Sequence, residues 1–129
     1  MAGPNYVLEL PYQPAEAMNK LQAVRMVVSA PDTIEVCDVQ GEWVLGIVQE
    51  TVSAEDVTNG RIVNVRIMGV AMCIAEGAIT AGAPVTASTV TDGSLEAAAA
   101  ADVVAGRALS GAASGDYFNV LLSAFGPIL

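Results

Sequence analysis

Histidine is absent from this 129-residue chain, and lysine occurs once, at Lys20. Without histidine there is no side chain that ordinarily titrates near neutral pH, no imidazole ligand for a metal, and no Ser–His or Cys–His nucleophile pair. The two cysteines, Cys37 and Cys73, lie far apart and lack the CxxC spacing of zinc and redox sites. Both sit in strand-like runs, TIEVCDV and GVAMCIA, and read as buried thiols; a bridge between them would require their strands to be neighbours. Positive charge is scarce too. Five Lys and Arg against fourteen Asp and Glu give a net charge of −9, whereas binding to nucleic acid or anionic lipid needs a basic footprint. No nucleic-acid or membrane partner is therefore expected.

Long hydrophobic runs are missing although 53% of residues are hydrophobic and only 15% charged. That balance excludes intrinsic disorder. A membrane-spanning helix needs about 20 apolar residues in a row, and the best stretch, 62–75, is interrupted by Asn64, Arg66 and Gly69. The opening residues lack a basic head, carry Glu9 and are broken by Pro4, Pro11 and Pro14, so they are not expected to be a signal peptide. The surplus of apolar residues is then expected in contacts between subunits.

Carboxylates are the only plentiful acid–base groups. Glu55 and Asp56 lie in SAEDVTNG, which reads as a solvated turn, and Asp92-Gly93 is a turn dipeptide. The stretch GRALSGAASG lacks the Gly-Lys-Ser/Thr ending of a phosphate loop, and no calcium-loop pattern occurs. Glu42 beside Trp43 is the nearest approach to a carbohydrate-cleaving site, but six aromatics in all (one Trp, three Tyr, two Phe) leave little to line a cleft. No catalytic residue, cofactor or metal site is assigned. The reading is that the chain is not an enzyme.

What is present is β pattern. Runs rich in Val, Ile and Thr, separated by Gly, Asp, Asn or Pro, recur from residue 33 onward: TIEVCDV, EWVLGIVQE, RIVNVRIM, VAMCIA, PVTAS, VVAGRAL and YFNVLLS. They predict an all-β fold, a small barrel or sandwich of about seven to eight short strands with an extended N-terminal arm. Residues 1–14 form the arm, and residues 15–129 a single β domain ending in a short apolar tail. Residues 15–29 fit a short helical turn passing into a strand. LEAAAAADVVA favours helix by propensity but lacks a polar face, so a loop or single turn competes with it. Trp43 and Phe118 are expected in the core.

The chain also echoes itself. Gly60-Arg-Ile-Val-Asn-Val-Arg-Ile67 matches Gly115-Asp-Tyr-Phe-Asn-Val-Leu-Leu122 at an offset of 55, with Val63/Phe118, Val65/Val120 and Ile67/Leu122 on one face. Asn64 and Asn119 take the other face. Each stretch follows a similar strand, GIVQE from Gly46 and GRALS from Gly106, so a strand–loop–strand unit is used twice.

Two stretches, GVAMCIAEGAITAGAPVTAS and VVAGRALSGAASGDYFNVLLS, resemble the capsid cement, or head decoration, proteins of tailed bacteriophages. In that family a strand leads into a phrase like AEGAITAGAPVT. An alanine-rich stretch follows, then V-x-G-x-A-L, a loop with Gly-Asp, and an apolar last strand. The resemblance covers roughly residues 42–123. It implies a virion structural protein on the outer surface of the head, commonly a homotrimer that holds capsomers together, with the major capsid protein and itself as partners.

Residues before 42 are outside the resemblance, and their assignment rests on physics alone. Tyr6, Val7, Leu8, Leu10 and Tyr12 form an apolar extended segment able to lie along a neighbouring sheet, and are assigned as the capsid or neighbour contact. The competing arrangement folds the arm back on its own domain. Phe125, Ile128 and Leu129 are a second candidate subunit contact. The same β signals also suit an assembly or binding module of a non-capsid bacterial complex, including β-clip and biotinyl-type modules.

Overall fold

Apolar side chains alternate with polar or half-exposed ones through residues 63–74, the pattern of a strand with one face turned to a core. In the computed structural model, which describes residues 6–88 and 90–122, this stretch is one twelve-residue strand. In chain order the elements are β1 (Tyr6–Pro14), β2 (Ala23–Met26), β3 (Thr33–Val36), β4 (Gly46–Val48), α1 (Ala54–Thr58), β5 (Val63–Ile74), β6 (Pro84–Ala87), β7 (Leu95–Ala97), β8 (Gly106–Ala108) and β9 (Tyr117–Leu122). The fold is all-β, as the sequence predicts. The runs RIVNVRIM and VAMCIA, read as two strands, are the halves of β5, joined at Gly69. The φ of 99° there is one that only glycine adopts without strain.

The sheet order β1-β3-β2-β4-β5-β9-β8-β6-β7, with β1 also paired to β5, describes two five-stranded rings that share β5. The first ring closes because β1 runs antiparallel to the first half of β5 and parallel to β3. The second uses the other half of β5 against β9 and closes through a parallel bridge from Ala75 to Leu95 in β7. The rings have the same register. Leu10 opposes Val65 in one, and Ala71 opposes Val120 in the other. Ile47 opposes Arg66, and Arg107 opposes Leu121. The Met18–Val52 bridge recurs as Ile79–Ala112. The echo visible in sequence is thus one part of a duplication that takes in every strand.

Backbone strain repeats with it. Positive φ occurs at Leu21 and Gly82, at Asp32 and Gly93, at Gly41 and Ala101, and at Gly60 and Gly115, each pair equivalent between the rings. Two further glycines keep their places for lack of room. A Cβ on Gly46 would lie 2.3 Å from the Arg66 carbonyl oxygen, and one on Gly106 would lie 2.2 Å from that of Leu121. The rings differ most at one loop. The first inserts α1, a five-residue helix whose cap Ser53 accepts from the Asp56 N–H while Asp56 accepts from the Ser53 N–H. This helix replaces the solvated turn expected around Glu55 and Asp56. The Ser53 N–H, with the Arg61 guanidinium, holds the Asp56 carboxyl below its usual range.

Two apolar clusters fill the rings. Val24, Ile34, Val48, Val63 and Val65 lie in the first, with Leu8, Leu10 and Tyr12 packed against them. Phe118, Leu95, Val85 and Val120 lie in the second, joined by Ala23, Cys37, Val44 and Ile47 from the first unit. The rings are therefore joined by packing as well as by β5. Phe118 is core, as expected. Trp43 is not: it stands 39% exposed, because the Glu42 carboxylate is held inward by backbone and Arg25 donors and turns its neighbour out. Residues 15–22 form bends and a turn rather than a helical turn, since Met18 bridges Val52 and Leu21 takes a positive φ. In LEAAAAADVVA, buried Leu95 pairs with Ala87, so the stretch opens as strand β7 and propensity yields to pairing.

The duplication makes opposite predictions for two substitutions. Ala101→Gly relieves a φ of 74° at an exposed position where the first ring carries Gly41; it should stabilise by about 0.5–1 kcal/mol after the added freedom of the unfolded chain is subtracted. Gly106→Ala should destabilise by roughly 2–3 kcal/mol. Urea unfolding midpoints check both, and two unchanged midpoints would contradict the shared register of the rings.

Candidate interaction surface

Equivalent outward faces of the two rings differ in chemistry at their centres. In the first ring, Glu9 on β1 faces Arg66 on β5, and the carboxylate accepts from the guanidinium at 2.6 and 2.9 Å. Pro11, Gln13, Asn64 and Gln49 surround the pair on that face, with exposed Ile62 beyond Asn64. In the second ring the places of Glu9 and Arg66 fall to Val70 and Leu121, which oppose each other across β5 and β9. Met72 opposes Asn119, and Ile74 opposes Tyr117. Leu109 continues the face beyond β8. Met72, Leu109, Tyr117 and Leu121 are all exposed, between 45% and 52% of their surface. A sheet face of this composition is what an interaction surface offers.

The ends of the face are charged. Arg107 on β8 opposes Leu121, and its guanidinium donates to the Gly82 carbonyl at 3.0 Å. At the other end, Glu76 lies two residues past Ile74, while Asp116, whose carbonyl accepts from the Ala75 N–H, alternates away from the face of Tyr117. No carboxylate lies among the apolar residues between them.

The residues assigned from sequence fall elsewhere. The backbone of Tyr6 pairs with Gly69, and Val7 lies beside it in β1. Leu8, Leu10 and Tyr12 are half-buried and turn one side toward the first ring's own cluster. The described part of the arm therefore pairs within its own chain. Leu10, Pro11 and Tyr12 also line an open groove of about 520 Å³ with Gln13, Asp32 and Ile62. Phe125, Ile128 and Leu129 lie outside the described residues.

The apolar face of the second ring was not singled out from sequence, yet a signal was there. In RIVNVRIM the outward positions Asn64 and Arg66, at the middle of the run, are polar, with apolar Ile62 and Met68 at its ends. In VAMCIA they are Val70, Met72 and Ile74, so the run is apolar on both faces, as in strands covered on both sides.

Arg25 and Glu42 in the first unit hold loops. Arg25 donates to Glu35 at 2.9 Å and Glu42 at 2.7 Å, and also to Asp38. Burial works against its charge, but hydrogen bonds to Asp38, Glu35 and Glu42 outweigh that and raise its pKa further. The Glu42 carboxylate also accepts from the N–H groups of Asp38 and Val39. It caps a loop.

Both cysteines are free and buried. Burial pushes the Cys73 thiol up to about 12. Burial, with the Glu42 charge second, pushes Cys37 up as well. Neither thiol is poised as a nucleophile.

The chain matches no known protein family and no curated protein. Among solved structures it is similar to the head fiber gp8.5 N base of bacteriophage phi29, with a TM-score of 0.69 and 16% identity. The similarity covers 95% of this chain and 98% of that one. The two share a fold over nearly their whole lengths.

The thiols give a direct check. At pH 8 the native chain should react with an aromatic disulfide reagent far more slowly than the denatured chain, which should titrate two thiols. Stability should also fall as pH rises past about 8.5, because the unfolded chain then releases thiol protons that the folded chain retains. Immediate labelling of the native chain would show that the thiols are not buried.

Proposed function

We propose that the chain is a structural protein of a bacteriophage head, bound in many copies to the outer surface of the capsid. The observation that carries the proposal is the end-to-end similarity of fold to the base of a phage head fiber. The sequence resemblance to head decoration proteins, which covers the second ring and part of the first, supports it independently. So does the charge. A chain at −9 suits an outer surface that does not meet packaged DNA.

The proposed work is mechanical and needs no catalysis, cofactor or metal. The chain binds the major capsid protein and other copies of itself, in threes on the family resemblance, and ties neighbouring capsomers together as a cement. Once one copy of such a group is bound, the remaining contacts become intramolecular, so modest interfaces give slow release. The outer segment β1, with its groove around Tyr12, and the apolar face of the second ring supply two different surfaces for these partners.

Quantitative mass spectrometry of density-purified particles from the source tests the proposal. The expected result is many copies, equal to the major shell subunit or a simple fraction of it. A handful of copies would assign the chain to a portal, tail or fiber instead. Complete absence from particles would overturn the virion reading in favour of a non-capsid assembly module.

A further inference from the structure

We infer that copies of this chain join head to tail: the alanine segment 97–101 and the Pro84–Arg107 pair of one copy seat on the Tyr12 groove of the next. The inference rests on the reading that copies bind one another, and it says which surfaces meet. The molecule already contains one such joint, where its second ring packs on its first unit. There the Ala23 N–H donates to the Gly93 carbonyl at 2.8 Å, and the Gly93 N–H to the Cys37 carbonyl at 2.9 Å. The Gly41 N–H donates to Ala87 at 3.1 Å, and the Gly41 carbonyl accepts from Val103 at 3.0 Å. Ala23, Cys37 and Ile47 are buried in the same apolar cluster as Cys73 and Ala87 of the second ring.

Because the rings are duplicates, each half of this joint recurs on an outer surface. The half made by Ala23, Cys37, Gly41 and Ile47 recurs as Pro84, Ala98, Ala101 and Arg107. Pro84 opposes Arg107 as Ala23 opposes Ile47, and Ala98 donates to Pro84 as Cys37 does to Ala23. The half made by Cys73, Gly93, Ala87 and Val103 recurs as Tyr12, Asp32, Met26 and Trp43. Met26 opposes Ile34 as Ala87 opposes Leu95, and Asp32 and Gly93 lie two residues before those partners. Ala101 and Arg107 are exposed, and Pro84 and Ala98 half-buried. Met26 and Trp43 are 36% and 39% exposed, and Tyr12 and Asp32 line the open groove.

Size and charge select a second copy as the occupant. The large side chains, Tyr12, Met26 and Trp43, stand on one half only, and the other half is a flat seat of alanine and proline, so the two surfaces can close without voids. Where the internal joint has Gly93 and Ile47, the outer halves carry Asp32 and Arg107, opposite charges on opposite halves. Arg25, Arg61 and Arg66 all hold carboxylates, whereas Arg107 has no carboxylate partner among the described residues and donates to the Gly82 carbonyl. Between copies at −9 this pair supplies attraction and fixes orientation. A joint between unlike surfaces leaves one of each free, so it continues or closes into a ring. Closure by three copies is the grouping proposed above.

Two variants, each disabled on one half, test this by sedimentation equilibrium of the full chain. Met26→Glu spoils the groove side and Arg107→Glu the alanine side; both residues are exposed, so both variants should melt with the parent. Where the parent exceeds 13.2 kDa, each variant alone should stay near that mass, its dissociation constant raised roughly tenfold or more. An equimolar mixture should reach twice 13.2 kDa and no more, because the intact groove of R107E copies accepts the intact alanine side of M26E copies. Trp43, the only tryptophan, gives a second readout. Its emission should shift to the blue as the parent associates and in the mixture, but in neither variant alone.

A parent that stays at 13.2 kDa at the highest concentration overturns the inference. So does an associating parent whose Trp43 emission is unmoved, a measurement that needs no variant. Folded variants that stay monomeric when mixed, or that each associate as the parent does, overturn it too. Absence of the chain from particles would leave the joint standing, and a monomeric parent would leave the virion reading standing, so the two fail separately.

Discussion

Strand β5 is the constraint on which the rest of the molecule depends. Its first half completes one ring against β1 and β4, and its second half begins the other against β9. Every inward side chain from Val63 to Cys73 must therefore serve one of two cores from a single uninterrupted strand, and the burial pattern alternates without a lapse along its length. A one-residue slip would turn both sets outward together. Gly69 at the junction lets the strand pass between rings. Ala23, Cys37, Val44 and Ile47, outside the first ring's cluster, fill out the second ring's core and join the two further.

Duplication explains features that look arbitrary one at a time. Leu21 and Ala101 hold positive φ at turns where the equivalent residues of the other ring are glycines, Gly82 and Gly41. Gly46 and Gly106 cannot gain a side chain because each lies against the carbonyl of the strand that follows it in its own ring. What the rings do not share is their outer chemistry. Ile47 is buried against the second ring, while its counterpart Arg107 is exposed. The places of the Glu9–Arg66 pair are taken by Val70 and Leu121 in the second ring. The chain's chemistry is the choice of which outer faces are polar and which are apolar.

Much of this was legible in the residues. The all-β class, most strand positions after residue 33, the buried Phe118 and the equivalence of Val63, Val65 and Ile67 with Phe118, Val120 and Leu122 follow from alternation at period two. The first half of the duplication was hidden because its matching residues are chemically unlike. Tyr12 corresponds to Cys73 and Glu9 to Val70, and only register reveals it. The helix α1 was missed because its five residues are too few for periodicity to show, although Ser53 and Asp56 carry the capping spacing. The exposure of Trp43 and the strand at Leu95 depend on partners distant in sequence, Arg25 and Ala87, which no local pattern encodes.

Native-state hydrogen exchange of the full chain, resolved by residue, tests the central claim most directly. If the two rings stand on β5 as described, inward amides throughout 63–74 and their partners in β1 and β9 exchange only through global unfolding, with one common free energy and one response to denaturant. Amides of β6 to β9 that open at a distinctly lower free energy, while β1 to β4 stay protected, would show two independent rings and contradict the account.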